Sequence, residues 1–590
     1  MKKLIFTAAA LAAFGLTAYA AQPGEVLGLV YTTDILTVVD NVPIPSYSID
    51  GTTAVALADL RGYGFDVQFN EETRRVDVTT LEAPQEYNTP AVERGSVGGT
   101  CGEVLSTDIV AYVNGIFIPS YNVNGRTCVE VEALGAITDK YNEEWGYSDY
   151  NFNYRYDNSV RTLYLNSFRF PATTMEKVVE EYGAFSADNE FELYTHVSGQ
   201  GNKRYYSGAR LEPETGIYAG ITADETEGFT DTFGVYSSYF EFDERNDDFK
   251  KNYKSEIEGK DCINLICWNT MDVTQAYDDE YIRRTLDNIT AAGQKAIIRY
   301  GAEMNMGTMG NSPSAFVKAF RHIADIVHEY DNLAMMWSPG DYGSLDRPYE
   351  LYYPGNEYVD WVGMSCFMKH DFMGITDMSD EGLLAFNCGD YAWMSNSIKK
   401  LTDFMQRNNI DKPIAISEGA VESKVLYADI DLTGWAEQRL RAMYWYTAMK
   451  FPQVKMFTYF NQNCGGEIME YKTTPEYREI INEAIDGAGY LTTASGKPEK
   501  TFCKANSSNQ RYENGTMPLY AYAYFPHENI LRVEYEVDGV IKAVSENVPY
   551  YANITDLPYS GNLIVRVVTD KDVHEYQYYF QFRSGAYYLS

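Results

Sequence analysis

The chain has 590 residues and a formal net charge of −36, from 84 acidic and 48 basic side chains. This length predicts several domains and leaves room for a large core. The negative charge disfavours nucleic acid and anionic membranes as partners, and it suits a protein that acts on neutral material or that is simply kept soluble.

The first residues have the pattern of a secretory signal peptide. A basic start at Met1–Lys3 precedes an apolar run from Leu4 to Leu16 and a small-x-small site at Ala18–Ala20. A membrane anchor is the alternative, but the run is short for a bilayer span, and no later segment is apolar enough to cross a membrane. We therefore predict that residues 1–20 are a signal peptide and that the protein is secreted, either free or associated with the cell surface.

Two copies of one small unit follow, at residues 24–81 and 103–168, with a Pro- and Gly-containing linker at 82–102 between them. Each copy contains a predicted β-hairpin that ends in Ile-Pro-Ser-Tyr. The copies resemble the copper amine oxidase N-terminal-like domain of secreted bacterial proteins, although neither holds a histidine and no metal chemistry is implied. They are predicted α+β or all-β stalk modules whose partner is the cell wall or another surface polymer. Cys101 and Cys128 are candidates for a disulfide, which sequence alone does not decide.

Residues 190–491 alternate between predicted strands and helices, which is typical of a parallel α/β fold. Ser312-Pro313 is an N-cap followed by proline at the first helical position, and apolar residues then recur at helical spacing. A doubly wound open sheet is the competing architecture, but no Gly-x-Gly-x-x-Gly turn follows the first strand. The number of predicted strands favours a (β/α)₈ TIM barrel. They are Gly216–Ile221, Phe233–Tyr239, Cys262–Trp268, Ala296–Tyr300, Leu333–Trp337, Tyr358–Met364, Pro413–Ser417 and Val454–Tyr459.

Two glutamates follow apolar strands of this predicted barrel. Glu303 comes after Ile297–Ala302, and Glu418 comes after Lys412–Ser417. The carboxyl ends of barrel strands carry the functional residues of such folds. Retaining glycoside hydrolysis needs two carboxyl groups there, about 5–5.5 Å apart, one as acid/base and one as nucleophile. An acidic residue at a strand end is otherwise merely solvated, so position alone leaves both interpretations open.

Sugar binding also requires flat aromatic faces and polar groups that orient the ring. Trp268, Trp337 and Asn305 are candidates for substrate binding, with core packing as the alternative for a tryptophan on a strand. Arg299 is a fourth candidate for substrate binding and also a candidate for keeping the nucleophile ionised. The sequence shows no Cys/His cluster with zinc spacing, no phosphate loop and no nucleophilic Ser or Cys motif, so we expect neither a metal nor a cofactor.

The barrel sequence resembles glycoside hydrolase family 26, the β-mannanase family, over about half of the chain. Arg299–Asn305 (RYGAEMN) is similar to the family's Arg-x-x-His-Glu-Met-Asn motif, and Tyr352–Gly363 (YYPGNEYVDWVG) is similar to its most specific segment. Lys412–Glu418 falls where the family carries its nucleophile. The resemblance implies a clan A barrel in which Glu303 is the acid/base and Glu418 is the nucleophile.

Three positions depart from the family pattern. Ala302 replaces the histidine before the acid/base, Phe367 stands where a tyrosine is expected, and Met306–Gly310 replaces an aromatic cluster. Lost polar groups near a reaction centre lower turnover by orders of magnitude. Two hypotheses therefore stay open. The first is a secreted retaining hydrolase of β-1,4-mannan or a related plant β-glycan. The second is a non-catalytic carbohydrate-binding or cell-surface scaffold protein with a degenerate barrel.

After the barrel, residues 510–590 predict an all-β region. A strictly alternating strand at 532–537 turns at Asp538-Gly539 and returns through 540–544, which is a hairpin pattern. The region resembles the immunoglobulin-like modules appended to secreted glycosidases. Such a β-sandwich is compatible with carbohydrate binding or with a role as a spacer.

Overall fold

A computed structural model describes most of the chain after the predicted signal peptide, which lies outside it together with linker residues 82–91. The described residues are 22–39, 42–49, 51–81, 92, 94–134, 150–158, 161–169, 189–198, 205–222, 233–241, 259–269, 273–291, 293–305, 313–340, 349–368, 398–425, 430–463, 467–470, 474–498, 500–508, 510–513, 515–525 and 528–590. Among these residues, no helix is long and apolar enough to span a bilayer.

The region that contains the two predicted repeats is built from short strands and one 3₁₀ helix, Leu57–Tyr63. The strands are β1 (Val26–Tyr31), β2 (Leu36–Val39), β3 (Val42–Ile44), β4 (Ser46–Ile49), β5 (Thr52–Ala56), β6 (Phe65–Asn70), β7 (Arg75–Thr80), β8 (Thr100–Leu105), β9 (Val110–Val113), β10 (Ile116–Ile118), β11 (Tyr121–Val123), β12 (Arg126–Glu130), β13 (Tyr150–Asp157) and β14 (Thr162–Arg169). Cys101 on β8 is exposed, Cys128 on β12 is buried, and both are free thiols.

The strands of the two repeats combine in shared sheets. A closed barrel has the order β1-β4-β5-β12-β11-β8, with three strands from each repeat. The β2–β3 hairpin of the first repeat joins β13 and β14 of the second, and the β9–β10 hairpin of the second joins β6 and β7 of the first. Both junctions are parallel, between β2 and β14 and between β7 and β9. Each repeat therefore completes the sheets of the other, and we call the described part of residues 22–169 the N-terminal unit.

The middle of the chain alternates between strands and helices. The strands are β15 (Glu190–Ser198), β16 (Ile217–Thr222), β17 (Val235–Glu241), β18 (Ile263–Asn269), β19 (Lys295–Tyr300), β20 (Leu333–Trp337), β21 (Trp361–Met368), β22 (Ile414–Val421), β23 (Lys424–Val425), β24 (Ile430–Asp431), β25 (Val454–Tyr459), β26 (Glu467–Ile468) and β27 (Tyr490–Leu491). The α-helices described in this region are α1 (Asp279–Thr290), α2 (Pro313–Val327), α3 (Ile398–Arg407), α4 (Thr433–Lys450) and α5 (Pro475–Ala488).

Eight of these strands form a closed parallel barrel in the order β16-β17-β18-β19-β20-β21-β22-β25, and β25 pairs with β16 to close it. Each corresponds to one of the predicted strands, so the predicted eight-stranded barrel is confirmed. The predicted helix start at Pro313 is also confirmed, and its apolar residues Phe316, Phe320 and Ile323 are fully buried against the barrel. Ser312, its predicted N-cap, lies outside the described residues.

Side chains along each barrel strand alternate between the interior and the helix layer, as the two-residue period of a strand requires. On β19, Ile297 belongs to the interior cluster, whereas Ile298 belongs to the outer cluster. Tyr300 also points outward, with its ring stacked on Phe316 of α2 at a centroid distance of 6.0 Å. Arg299, between these two outward residues, therefore faces the interior at the carboxyl end of the barrel.

The C-terminal strands are β28 (Lys500–Lys504), β29 (Met517–Tyr524), β30 (Ile530–Val537), β31 (Val540–Ser545), β32 (Ala552–Ile554), β33 (Ser560–Thr569), β34 (Val573–Arg583) and β35 (Ala586–Leu589). They form a five-stranded sheet, β31-β30-β33-β34-β35, and a four-stranded sheet, β28-β15-β29-β32, which includes the strand that precedes the barrel. The predicted hairpin is β30–β31, and both turn residues, Asp538 and Gly539, have the positive φ of a type I′ turn. Tyr446 of α4 donates to the Ala523 carbonyl at 3.2 Å, so this region packs against the barrel.

Candidate active site

Three interior side chains meet at the carboxyl end of the barrel: Arg299 on β19, Ser365 on β21 and Glu418 on β22. Arg299 Nη1 donates to Glu418 Oε1, and Arg299 Nη2 donates to Ser365 Oγ at 2.9 Å. Ser365 Oγ also donates to Glu418 Oε2, at 3.4 Å. Arg299 is fully buried and Glu418 is 6% exposed, so the ion pair is shielded from bulk water. Both oxygens of Glu418 are thus held by interior donors.

A β-bulge directs Glu418 into the barrel. The pairing of β21 with β22 runs from Met364 opposite Ile416 to Ser365 opposite Glu418, so Ser417 is the extra residue. Ser417 Oγ donates to the Met364 carbonyl at 3.0 Å and lies 3.0 Å from Ser338 Oγ. Because Ala415 faces the interior, unbroken alternation would turn residue 418 towards the helices. The bulge reverses this and sets Glu418 against Arg299.

The electrostatics of the site centre on Arg299. Burial alone would lower the pKa of its guanidinium, but nearby groups with negative charge raise the pKa above its ordinary value. The carboxylate of Glu418 makes the largest of these contributions, and that of Glu303 makes a smaller one. Arg299 therefore remains a cation, and its pairing with Glu418 offsets part of the desolvation cost of burying both charges. The contribution of Glu303 shows that its carboxyl group lies within electrostatic reach of the same guanidinium.

Glu303 lies in a tight turn after β19. Gly301 and Glu303 have φ angles of 61° and 54°, in the left-handed region. That conformation costs a residue with a side chain about 1–2 kcal/mol. Two hydrogen bonds hold the turn: the Gly301 N–H donates to the Trp268 carbonyl at 3.0 Å, and the Glu303 N–H donates to the Ser338 carbonyl at 2.9 Å. The turn keeps Glu303 at the rim, where its side chain is only partly buried.

Asn305 is fully buried just beyond this turn. Its Nδ2 donates to the Gly340 carbonyl at 2.9 Å, and its Oδ1 accepts from the Gly340 N–H at 2.7 Å. The side-chain amide thus ties the turn after β19 to the end of β20. Asn305 was predicted to bind substrate. In the structure its buried amide instead holds the turn that carries Glu303.

Trp268 and Trp337 were the other predicted substrate-binding residues, and the structure does not bring them to the rim. Both are buried, with 2% and 0% of their surface exposed. Trp268 packs on Tyr281 of α1, and Trp337 Nε1 donates to the Tyr352 carbonyl at 2.9 Å. The reason is strand alternation: Cys267 contacts interior Arg299, so Trp268 must face the helices. Core packing, the alternative for a strand-borne tryptophan, describes both positions.

Sequence reasoning missed Ser365 and Tyr239. Ser365 follows the predicted strand that ends at Met364, and Tyr239 is the last residue of another predicted strand. Both are polar residues at the carboxyl ends of barrel strands, which was the signal that selected the two glutamates. At the two departures from the family pattern that the structure describes, the Ala302 N–H donates to Asn269 Oδ1 at 3.3 Å, and Phe367 packs on Phe460. Met306–Gly310 lies outside the described residues.

No three His, Cys, Asp or Glu side chains of the described chain are grouped closely enough to hold a metal ion. The described side chains at the carboxyl end of the barrel include two carboxyl groups, a buried guanidinium and the hydroxyl groups of Ser365 and Tyr239. Two carboxyl groups are the residue types that retaining and inverting glycoside hydrolysis use.

Residues 300–430 match the model of glycosyl hydrolase family 26. The match covers under a quarter of the chain, begins at the end of β19 and includes both Glu303 and Glu418. It identifies a glycoside hydrolase domain in this protein and leaves the substrate open. No curated protein matches the chain.

Several solved structures are similar to the chain at low identity. A modular endo-β-1,4-mannanase from Cellulomonas fimi is 14% identical, with a TM-score of 0.31 and coverage of 61% of this chain and 93% of that chain. A family 26 β-mannanase from Bacteroides ovatus is 16% identical, with a TM-score of 0.32 and coverage of 48% and 92%. A β-mannanase from a symbiotic protist of the termite Reticulitermes speratus is 13% identical, with a TM-score of 0.33 and coverage of 50% and 99%. TM-scores of this size carry no argument about function.

Proposed function

We propose that this protein is an exported retaining glycoside hydrolase that cleaves β-1,4-mannan or a related plant β-glycan. Glu303 acts as acid/base and Glu418 acts as nucleophile. The observation that carries the proposal is the buried ion pair of Arg299 and Glu418 at the carboxyl end of the barrel, with Glu303 in the turn that follows the strand of Arg299. The family match, which spans both glutamates, supports the reaction class. The choice of mannan depends on the sequence resemblance alone.

In the first step, a Glu418 oxygen attacks the anomeric carbon and the bond from that carbon to the leaving oxygen breaks. Glu303 donates its proton to the leaving oxygen, so the departing sugar leaves as a neutral alcohol. The Arg299 and Ser365 bonds fix the orientation of the Glu418 carboxylate before attack, which lowers the entropic part of the barrier. Because these donors are already in place, no reorganisation is needed during the reaction.

In the second step, water enters beside Glu303, which now takes a proton from it and acts as a base. The resulting hydroxide attacks the anomeric carbon, and Glu418 departs as a carboxylate that Arg299 is positioned to stabilise. Two successive displacements return the anomeric carbon to its original configuration. The partly buried position of Glu303 fits this double role, because a group that exchanges protons with water needs access to solvent.

The direct test is the release of reducing sugar from a panel of mannans, xylans and mixed-linkage glucans. We expect activity on at least one polymer, and loss of that activity in Glu303→Gln and in Glu418→Gln. Glu329→Gln is a matched control, because Glu329 is exposed and pairs with Arg283 away from the rim. If the folded protein releases nothing from any polymer, or if either rim variant keeps full activity, the proposal is wrong.

Ala302 and Phe367 favour a second candidate function, non-catalytic glycan binding. Ala302 offers no polar side chain at the rim, and Phe367, which packs on Phe460 at a centroid distance of 5.3 Å, carries no hydroxyl. A barrel of this kind would retain a polysaccharide without cleaving it. Affinity electrophoresis of the full chain in polymer-containing gels separates the two functions, because retardation without product formation supports binding alone.

We also infer that residues 1–20 direct export and that the N-terminal unit attaches the protein to the cell wall or another surface polymer. The support is the signal-peptide pattern and the small paired repeats that precede the hydrolase domain. Fractionation of cells that express the full chain tests this. We expect the protein in the wall or medium fraction, and a chain without residues 22–169 in the medium alone. Retention of the full chain in the cytoplasm would exclude both inferences.

A further inference from the structure

The candidate site contains a tyrosine hydroxyl that the proposed mechanism does not use. Tyr239 on β17 pairs with Cys267 on β18, which pairs with Arg299 on β19. Side chains at paired positions of adjacent strands lie on the same face of a sheet. The 3.7 Å contact between Cys267 Sγ and Arg299 Nη1 shows that this face is the barrel interior. Tyr239 therefore points into the barrel at the level of the guanidinium.

The ring of Tyr239 is held beside Glu418 by neighbouring aromatic residues. It packs edge-to-face on Phe460 at a centroid distance of 6.3 Å, and Phe460 packs edge-to-face on Phe367 at 5.3 Å. The Phe460 N–H donates to the carbonyl of Gly419, the residue after Glu418, at 3.0 Å. Tyr239 and Phe367 thus contact one ring that is anchored next to the proposed nucleophile.

The Tyr239 hydroxyl oxygen is buried without a hydrogen bond of good geometry, and Glu418 is the side-chain acceptor that it faces. A buried hydroxyl without a partner is unfavourable, so its position requires a nearby acceptor. Burial and the charge of Glu418 raise the pKa of Tyr239 well above its ordinary value. The phenol therefore stays protonated near neutral pH and is available as a donor.

We propose that Tyr239 is a positioning residue for the nucleophile and donates a hydrogen bond to the Glu418 carboxylate during the catalytic cycle. This inference rests on the function proposed above. Together with Arg299 and Ser365, Tyr239 gives the carboxylate a third donor, from a strand on the opposite side of Glu418 from β21 and β19. The ring contact with Phe460 fixes the direction of the phenol. Phe367 lies on β21, the strand next to that of Glu418, and has no hydroxyl to donate. The aromatic side chain that can donate to Glu418 is therefore Tyr239.

The two steps of the reaction depend differently on this donor. A hydrogen bond to the carboxylate stabilises Glu418 as a leaving group in the second step, and it makes Glu418 a slightly weaker nucleophile in the first. Removal of the hydroxyl should therefore slow the breakdown of the glycosyl-enzyme more than its formation. The covalent intermediate then accumulates, which lowers kcat and KM together and produces a burst of the first product.

The experiment compares Tyr239→Phe with Tyr236→Phe, using an aryl glycoside of the sugar that the wild-type protein releases. Tyr236 is a matched control on the same strand, and its hydroxyl bonds the Phe233 N–H and Lys260 at 3.3 Å, away from the rim. For Tyr239→Phe we expect kcat to fall about 10- to 100-fold, KM to fall with it and a burst to appear. For Tyr236→Phe we expect wild-type constants. Adding Phe367→Tyr to Tyr239→Phe should restore part of kcat.

Wild-type kinetics in Tyr239→Phe, or equal losses in both variants, would overturn the inference while leaving the proposed function intact. Failure of the wild-type protein to cleave any glycan would instead sink the proposed function. A readout independent of activity then decides the geometry: a crystal structure of the full chain. A distance of at most about 3.2 Å between the Tyr239 hydroxyl and a Glu418 oxygen supports the bond, and a distance beyond about 4 Å excludes it.

Discussion

The hydrolase barrel and the N-terminal unit both contain arginine–carboxylate pairs, but in opposite surroundings. In the barrel, the side chains of Arg299 and Glu418 are 0% and 8% exposed. In the N-terminal unit, those of Arg74 and Asp108 are 45% and 48% exposed. A buried pair carries a large desolvation penalty, whereas an exposed pair costs and contributes little. We infer that the buried pair of the barrel serves catalysis, whereas the exposed pairs of the N-terminal unit join its two repeats.

The N-terminal unit contains two equivalent exposed pairs, each of which joins one repeat to the other. Arg74 of the first repeat pairs with Asp108 of the second at 2.8 Å, and Arg161 of the second pairs with Asp34 of the first at 2.6 Å. Both arginines have positive φ, 50° and 51°. The two repeats therefore exchange equivalent contacts across a pseudo-two-fold arrangement. The barrel pair has no such counterpart in the described residues, as expected of a group that serves one reaction.

The largest expected effect is on catalysis, from removing either rim carboxylate. Glu418→Gly should lower kcat on the order of 10⁴-fold, because no covalent intermediate can form. Azide fits the space left and should restore part of the rate, giving a glycosyl azide of inverted configuration. Glu303→Gly with azide should give the retained configuration, because Glu418 still forms the intermediate. The measurement is NMR of the azide products with an activated aryl glycoside.

The control for this prediction comes from the N-terminal unit. Asp108→Gly removes a carboxylate from an arginine pair that is far from the rim in sequence, and it should leave kcat unchanged with or without azide. Identical azide products from Glu303→Gly and Glu418→Gly would contradict the assignment of the two roles.

The next effect is on stability. Arg299→Met leaves Glu418 buried without its cation, and removal of one partner of a buried pair costs about 3–5 kcal/mol. We expect a correspondingly lower free energy of unfolding for the barrel in urea at neutral pH. The double variant Arg299→Met/Glu418→Met should recover most of the loss, because neither charge is then buried alone. Arg161→Met, in the exposed pair, should change the unfolding midpoint only slightly. A barrel as stable in Arg299→Met as in the wild type would refute the distinction between the pairs.

The smallest effect concerns acid stability of the N-terminal unit. Hydrogen bonds from Arg161 and Arg74 lower the pKa of Asp34 and Asp108, respectively, below the ordinary value of 3.8. Because the pKa is lower in the folded protein, each ionised aspartate stabilises the folded state at a pH above its ordinary pKa. This stabilisation is lost as the pH falls through the lowered pKa. Asp34→Asn and Asp108→Asn should therefore reduce the unfolding temperature slightly and equally at pH 6.

At a pH below the lowered pKa values both aspartates of the wild type are protonated, so the two variants and the wild type should unfold at similar temperatures. Calorimetry across this range tests the sign. Unequal effects of Asp34→Asn and Asp108→Asn at pH 6 would show that the two junctions are not equivalent.

Local sequence patterns were sufficient to predict the barrel. Each strand is a short apolar run bounded by polar or turn residues, and the proline at 313 marks a helix start. Long-range pairing was not visible in the same way. Nothing in Glu190–Ser198 indicates that this strand joins β28 and β29 of the C-terminal sheet. Likewise, the similarity of the two repeats predicts their shape but not that β2 pairs with β14.

The site was predictable only as far as the positions of Glu303 and Glu418 at the carboxyl end of the barrel. It was not predictable where side-chain direction decides. A register shift of one residue at Ser417 turns Glu418 inward, and sequence gives no sign of such a bulge. Cys267 pairs with Arg299 and faces the interior, so the next residue on its strand, Trp268, faces outward. This direction follows only once the register between β18 and β19 is known. The same register brings Tyr239 to the guanidinium.

The central claim is that Glu418 attacks the sugar and carries it as a covalent ester, and trapping that ester tests it most directly. The wild-type protein is incubated with 2-deoxy-2-fluoro-mannosyl and -glucosyl fluorides, which slow the second step, and is then digested for mass spectrometry. We expect the mass of one fluorosugar on the peptide that contains Glu418, and no label in Glu418→Gln. A protein that hydrolyses glycan yet carries the sugar on another residue, or carries none and yields product of inverted configuration, would contradict the account.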